Sequence, residues 1–134
     1  MKIVLDTNVL LSALIKKGKP RTVLSAIIRQ HNLILSRKIL EEFTETVTDP
    51  KIGKYAGERD IARFLRDIAN AAKIIRVKSK FKVVKQDPDD DVILATAYDG
   101  NADYIVSGDK HLLKLKEFRG IKIVSVREML DLLK

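Results

Sequence analysis

The chain has 134 residues, 46% of them apolar, which is enough for one domain with its own core. It has no cysteine and only two histidines, His31 and His111, which excludes disulfide scaffolds, thiol nucleophiles and zinc clusters built on Cys and His. Its formal net charge of +8 favours a polyanionic partner, nucleic acid ahead of acidic proteins or neutral metabolites.

In chain order, Lys2 to Leu5 read as a buried strand, and Val9, Leu10, Ala13 and Leu14 then recur at helical spacing until Gly18. Pro20 stands in the first turn of a second helix, whose apolar stripe is Val23, Leu24, Ile27 and Ile28 and which ends near His31. Leu33 to Leu35 form a second strand, and Ser36 caps a helix carrying Ile39, Leu40, Phe43 and Val47 as far as Asp49 and Pro50. A polar connection leads to an amphipathic helix from Glu58, with Ile61, Phe64, Leu65, Ile68, Ala69 and Ala72 on one side. Strands follow at Ile74 to Val77 and Phe81 to Val84, then a helix from about Asp90 to Tyr98 and a strand at Tyr104 to Ser107. A short helix from Lys110 to Glu117, a strand at Ile121 to Val124 and a helix from Val126 to Leu133 complete the series. Strands alternating with helices predict one α/β domain over residues 1–134, with a mainly parallel sheet and helices on both faces. No apolar run approaches the roughly 20 residues of a membrane span, and MKIVLDTN is too short and too early charged for a signal segment. A cytoplasmic protein without a membrane span is expected.

Aspartates follow three of the strand-like runs: Asp6 in IVLDTN, Asp87 to Asp91 in VVKQDPDDD, and Asp109 in YIVSGD. Each is a good helix N-cap or first-turn acid in its own right. Capping does not explain why all three junctions use aspartate, since Ser, Thr and Asn cap about as well. The carboxyl ends of parallel strands share one edge, so these side chains converge on the crevice where such sheets bind ligands. Clustered oxygen ligands there suit Mg²⁺ or Mn²⁺, and a pair of such ions about 3.5 to 4 Å apart supports in-line hydrolysis of phosphodiesters.

The segments IVLDTNVLLSAL, SRKILEEF, DPDDDVILATA and ADYIVSGDKHLL, in this order, resemble the PIN domain family. The likeness is greatest to bacterial and archaeal toxin components of toxin–antitoxin pairs related to VapC-type ribonucleases. It implies a three-layer α/β/α domain and a metal-dependent endoribonuclease whose acids fall on Asp6, Glu42, Asp90 and Asp109, with Asn8 and Ser107 as polar neighbours. Asp90 is the third acid because it stands seven residues before Ala97, as in the family's D-x-x-I-A-x-x-A pattern, with Asp91 as the alternative. Asp87 and Asp89 then read as turn and cap residues. At 100° per residue Glu42 lies about 60° from Ile39 and about 100° from Phe43, at the border of the buried stripe, whereas Glu41 lies about 160° from Phe43 and faces away; Glu41 and Glu45 are the alternatives for this place. The resemblance also implies RNA as substrate, an antitoxin protein as partner and a homodimer. A PIN-like module that binds RNA or protein without cutting is the alternative reading.

Two basic stretches are candidates for nucleic-acid contact: Arg59, Arg63 and Arg66 on one helix face, and Lys78, Lys80 and Lys82 alternating along an extended segment. A solvated charged surface explains either equally well.

Overall fold

The computed structural model describes residues 1–85 and 87–134; Gln86, within the VVKQDPDDD run, lies outside the described residues. A six-stranded sheet in the order β3-β2-β1-β4-β6-β5 is flanked by helices. The strands are β1 (Lys2–Leu5), β2 (Asn32–Ser36), β3 (Lys73–Ile75), β4 (Tyr104–Val106), β5 (Glu117–Phe118) and β6 (Ile121–Val124). All neighbours are parallel except β5 and β6. The helices are α1 (Thr7–Ile15), α2 (Lys19–Gln30), α3 (Arg37–Val47), α4 (Glu58–Ala71), α5 (Pro88–Asp99), α6 (Lys110–Leu115) and α7 (Val126–Leu132). Among the described residues no helix is long and apolar enough to cross a membrane.

The central strands are buried, as the near-continuous apolar runs IVL and LIL require of a sheet covered on both sides. From β1 the chain moves outward through β2 to β3, then returns to place β4 on the other side of β1. The gap between the ends of β1 and β4 is therefore the topological switch point, where open α/β sheets form their ligand crevice. Helix α5 packs on β1, β2 and β4 and opens at this crevice. Its other end approaches the sheet so closely that a Cβ at Gly100 would lie 2.6 Å from Ile34 Cγ2. Helix α4 buries Ile68 and sets Phe64 against Phe43 of α3, with ring centroids 5.7 Å apart. Arg21 of α2 donates to the carbonyls of Ala13 and Leu14 at 2.8 and 2.9 Å, satisfying orphan acceptors at the end of α1.

Three sequence expectations change. Phe81 to Val84 is no strand, because its amides and those upstream find carboxylates of α5 in place of a neighbouring strand. The third strand ends at Ile75, two residues short of Val77. The helix after Asp109 stops at Leu115, and Glu117–Phe118 turns back to pair with β6 through Arg119 and Gly120. Both turn residues have positive φ, 50° and 84°, as a tight hairpin with native twist demands.

Candidate functional site

Four chain segments meet at the switch point. Asp6 is the first residue after β1 and caps α1, its Oδ1 accepting from the Val9 amide at 3.1 Å. Asp109 follows β4 by three residues and caps α6, accepting from the His111 amide at 2.7 Å. Ser107 joins them: its hydroxyl donates to Asp6 Oδ2 and accepts from the Asp109 amide at 2.9 Å. Fully buried, Ser107 thereby fixes the ends of the two central strands relative to one another.

The third segment is the start of α5. Pro88 occupies the first helical position, which makes Asp87 the N-cap, and Asp87 accepts from the Asp89 amide at 3.1 Å. Asp90, one turn on, is only 6% exposed. One carboxylate oxygen from each of Asp87, Asp90 and Asp109 lies within 4.8 Å of the others, and Asp90 Oδ2 is buried with no hydrogen-bond partner among the described residues. The fourth segment is α3, which brings Glu42. A cavity of about 60 Å³ is lined by Asp6, Thr7, Asn8, Glu42 and Ile93 together with Asp87, Asp89, Asp90 and Asp109, and none of the described residues lining it is basic.

The electrostatics follow from this crowding. Burial, followed by repulsion from Asp109, Asp87 and Asp6, pushes Asp90 up to about 7. Burial also raises Asp6, against donors from Ser107, Val9 and Asn8 and with repulsion from Asp109. Glu42 is raised by burial, then by the fields of Asp89, Asp87 and Asp6. Six carboxylate side chains around one small cavity cannot all ionise cheaply, and a divalent cation would relieve both their repulsion and the orphaned Asp90 oxygen. The donor set is all oxygen, which suits a hard ion such as Mg²⁺ or Mn²⁺.

The structure brings together Asp6, Glu42, Asp90 and Asp109, with Asn8 on the cavity wall and Ser107 beneath it. Asp91 requires correction: it turns away from the cavity, and its Oδ1 accepts from the Val83 and Val84 amides, each at 2.9 Å. One residue is 100° of helix, which turns Asp91 from the side that Asp90 faces. Asp87 was passed over as a turn and cap residue; it does cap α5, and it also supplies one of the three converging oxygens. Pro88 carried the signal, since it sets Asp87 at the cap and Asp90 three residues on, which puts both on one side of the helix start. Thr7, whose buried hydroxyl also lacks a partner among the described residues, was missed and has no sequence signature. The basic stretches separate. Arg63 shares a different cavity with Arg21, Asp60 and Asp67, whereas Lys78, Lys80 and Lys82 line a groove that also includes Pro88 and Asp91.

Residues 2–111 match the PIN domain family. A protein of Methanocaldococcus jannaschii is 35% identical over 120 residues, covering 87% of this chain and 76% of its own. Two solved structures share the fold. VapBC2 from Rickettsia felis, bound to a DNA fragment from its promoter, superposes with a TM-score of 0.65 at 17% identity, covering 93% of this chain and 98% of the matched one. A protein of Pyrobaculum aerophilum gives 0.61 at 14% identity, covering 99% and 89%. Motif order, sheet topology, the acidic switch point and the match over most of the chain agree, and the chain belongs to the PIN domain family.

Proposed function

We propose that this protein is a Mg²⁺- or Mn²⁺-dependent endoribonuclease that hydrolyses RNA phosphodiester bonds, and that it is the toxin of a toxin–antitoxin pair. The observation that carries the reading is Asp90, whose buried Oδ2 has no partner among the described residues and whose carboxylate lies beside those of Asp87 and Asp109. A buried polar atom left unsatisfied is costly, and a bound cation removes the cost. Asp6, Asp87, Asp90 and Asp109 would hold the ion, with Glu42 across the cavity. Bound there, the cation supplies charge neutralisation for a phosphodiester and makes water a better nucleophile at neutral pH.

The chain's own groups do the rest. Ser107 and the Val9 amide hold Asp6 in one orientation, so no reorganisation is needed when substrate arrives. Glu42, with its raised pKa, is the group placed to accept a proton from the attacking water. Asn8 borders the same space with a neutral donor and acceptor. RNA as substrate, an antitoxin, a homodimer and a cytoplasmic setting come with the family reading; the Rickettsia VapBC2 relative supports the antitoxin.

The test is cleavage of a mixed-sequence single-stranded RNA and a matched DNA by wild type and Asp6→Asn, each with Mn²⁺, Mg²⁺ or EDTA. Metal-dependent cutting of RNA that disappears in Asp6→Asn is expected. RNA that binds but stays whole in every metal condition would replace the enzyme with a non-cleaving binding module.

A further inference from the structure

Helix α5 carries a second pair of acids, and both are engaged by the backbone of residues 76–84. Asp99 accepts from the Lys78 and Ser79 amides at 2.6 and 2.8 Å and from the Ser79 hydroxyl. Asp91 accepts from the Val83 and Val84 amides. Between these two staples Phe81 meets Tyr98 and Phe118 edge to face, with centroids 5.4 and 5.0 Å apart, and the Arg119 guanidinium lies 4.9 Å from its ring centre. The segment is thus held as a strap outside the sheet. Its side chains alternate: Arg76, Lys78, Lys80 and Lys82 are exposed, while Val77, Ser79 and Phe81 are half-buried. At extended spacing the four basic residues stand about 6.6 Å apart in a row.

These four, with Arg37 and Lys38 from the start of α3, rim a groove of about 570 Å³ floored by Ile75, Val77, Phe81 and Val92. Its acids are Glu41 and Asp91, and Asp91 is already committed to the strap amides. Residues lining the groove and the carboxylate cavity are neighbours in the chain at two places. Pro88 lies between Asp87 and Asp89 of the cavity, and Glu41 precedes Glu42. We infer that this groove carries the single-stranded RNA on one side of the bond to be cut, its phosphates along the strap and its sugars and bases against the apolar floor. This rests on the ribonuclease reading and adds where the strand lies. A row of evenly repeated positive charges suits a polymer with one anionic group per unit better than an acidic peptide, whose charges follow its sequence. Phe81 already packs against Tyr98, Phe118 and Arg119, so the groove has no free aromatic for stacking, and binding is salt-sensitive and sequence-tolerant.

The experiment is binding of a fluorescent, mixed-sequence single-stranded RNA of about 12 nucleotides to the full chain in EDTA over a range of salt. Three proteins are compared: wild type, Lys78→Ala/Lys80→Ala/Lys82→Ala, and Arg59→Ala/Arg63→Ala/Arg66→Ala. The replaced side chains are exposed, and melting curves check that each protein folds. The strap variant is expected to bind about tenfold or more weaker and to flatten the slope of log affinity against log salt by about 2, at roughly 0.7 per lost phosphate contact. The α4 variant is expected to stay within about twofold of wild type. Unchanged binding by the strap variant, equal loss in both variants, or no binding by wild type in EDTA would overturn the groove. So would displacement of the RNA by poly-glutamate of equal charge as readily as by unlabelled RNA, which would assign the groove to an acidic peptide. Strap-dependent binding without cutting under any metal would keep the groove and remove the ribonuclease. Cutting that needs Asp6 but ignores the strap would do the reverse.

Discussion

Two sides of one helix use the same residue for opposite ends. At the start of α5, Asp87 and Asp90 face other carboxylates, and one Asp90 oxygen has no donor among the described residues. On the strap side, Asp91 and Asp99 are surrounded by backbone amides and a serine hydroxyl. Burial works against ionised Asp99, yet its donors, Ser79 first and then Lys78, outweigh it and hold this carboxyl below its ordinary value. Asp90 is pushed up to about 7 by burial and its acidic neighbours. A carboxylate given hydrogen-bond donors shapes the chain, and one denied them is left to seek a cation.

The largest effect expected from breaking this contrast is on activity. Asp90→Asn removes a cavity charge, and metal-dependent cleavage should fall by about three orders of magnitude, a loss of several kcal/mol in transition-state stabilisation. Asp91→Asn should stay within about tenfold in the same assay. If the two variants exchange effects, the assignment of roles along α5 is wrong.

Next in size is the linkage to pH and metal. Asp90 is raised from 3.8 to about 7 on folding, so the metal-free fold retains a proton that the unfolded chain releases. Its stability therefore falls as pH rises from about 4 through about 7. Asp6 and Glu42 push in the same direction. Asp99 has the opposite sign, its contribution being present above 3.8 and lost as pH falls through its lower folded value. Melting in EDTA should accordingly show a fall from about pH 5 to pH 8 that Asp90→Asn largely removes. Mn²⁺ at a hundredfold excess over its Kd should restore about 2.7 kcal/mol at pH 8 and much less at pH 5, where protons compete. Equal stabilisation at both pH values would count against carboxylate ligation.

Smaller and more local is the strap. Asp99→Ala leaves the Lys78 and Ser79 amides without their acceptor, at a cost of about 0.5 to 1.5 kcal/mol per bond, seen as faster hydrogen exchange there. The exchange of β1 and β4 amides should be unaffected. The smallest effect is that of Ser107→Ala, which removes the hydroxyl between Asp6 and the Asp109 amide. About 1 kcal/mol of stability is expected to go, measured by urea denaturation.

Sequence alone determined the alternation of strands and helices, because burial on both sides of a parallel sheet writes near-continuous apolar runs and amphipathic helices write a 3.6-residue period. It also determined that Asp6 and Asp109 lie near one edge, since each follows a strand and parallel strands end on the same side. Glu42 and Asp90 were within reach through the family resemblance, to which the angle of Glu42 on its helix adds support. Tertiary structure alone decided the rest. It gave Asp87 a second role beyond capping, orphaned one oxygen of Asp90, and turned Asp91 and Asp99 outward to hold a strap that reads locally as a strand. Period and propensity report on a segment's own backbone and its buried side. Whether a carboxylate meets amides or other carboxylates depends on segments outside its own helix, which only folding brings beside it.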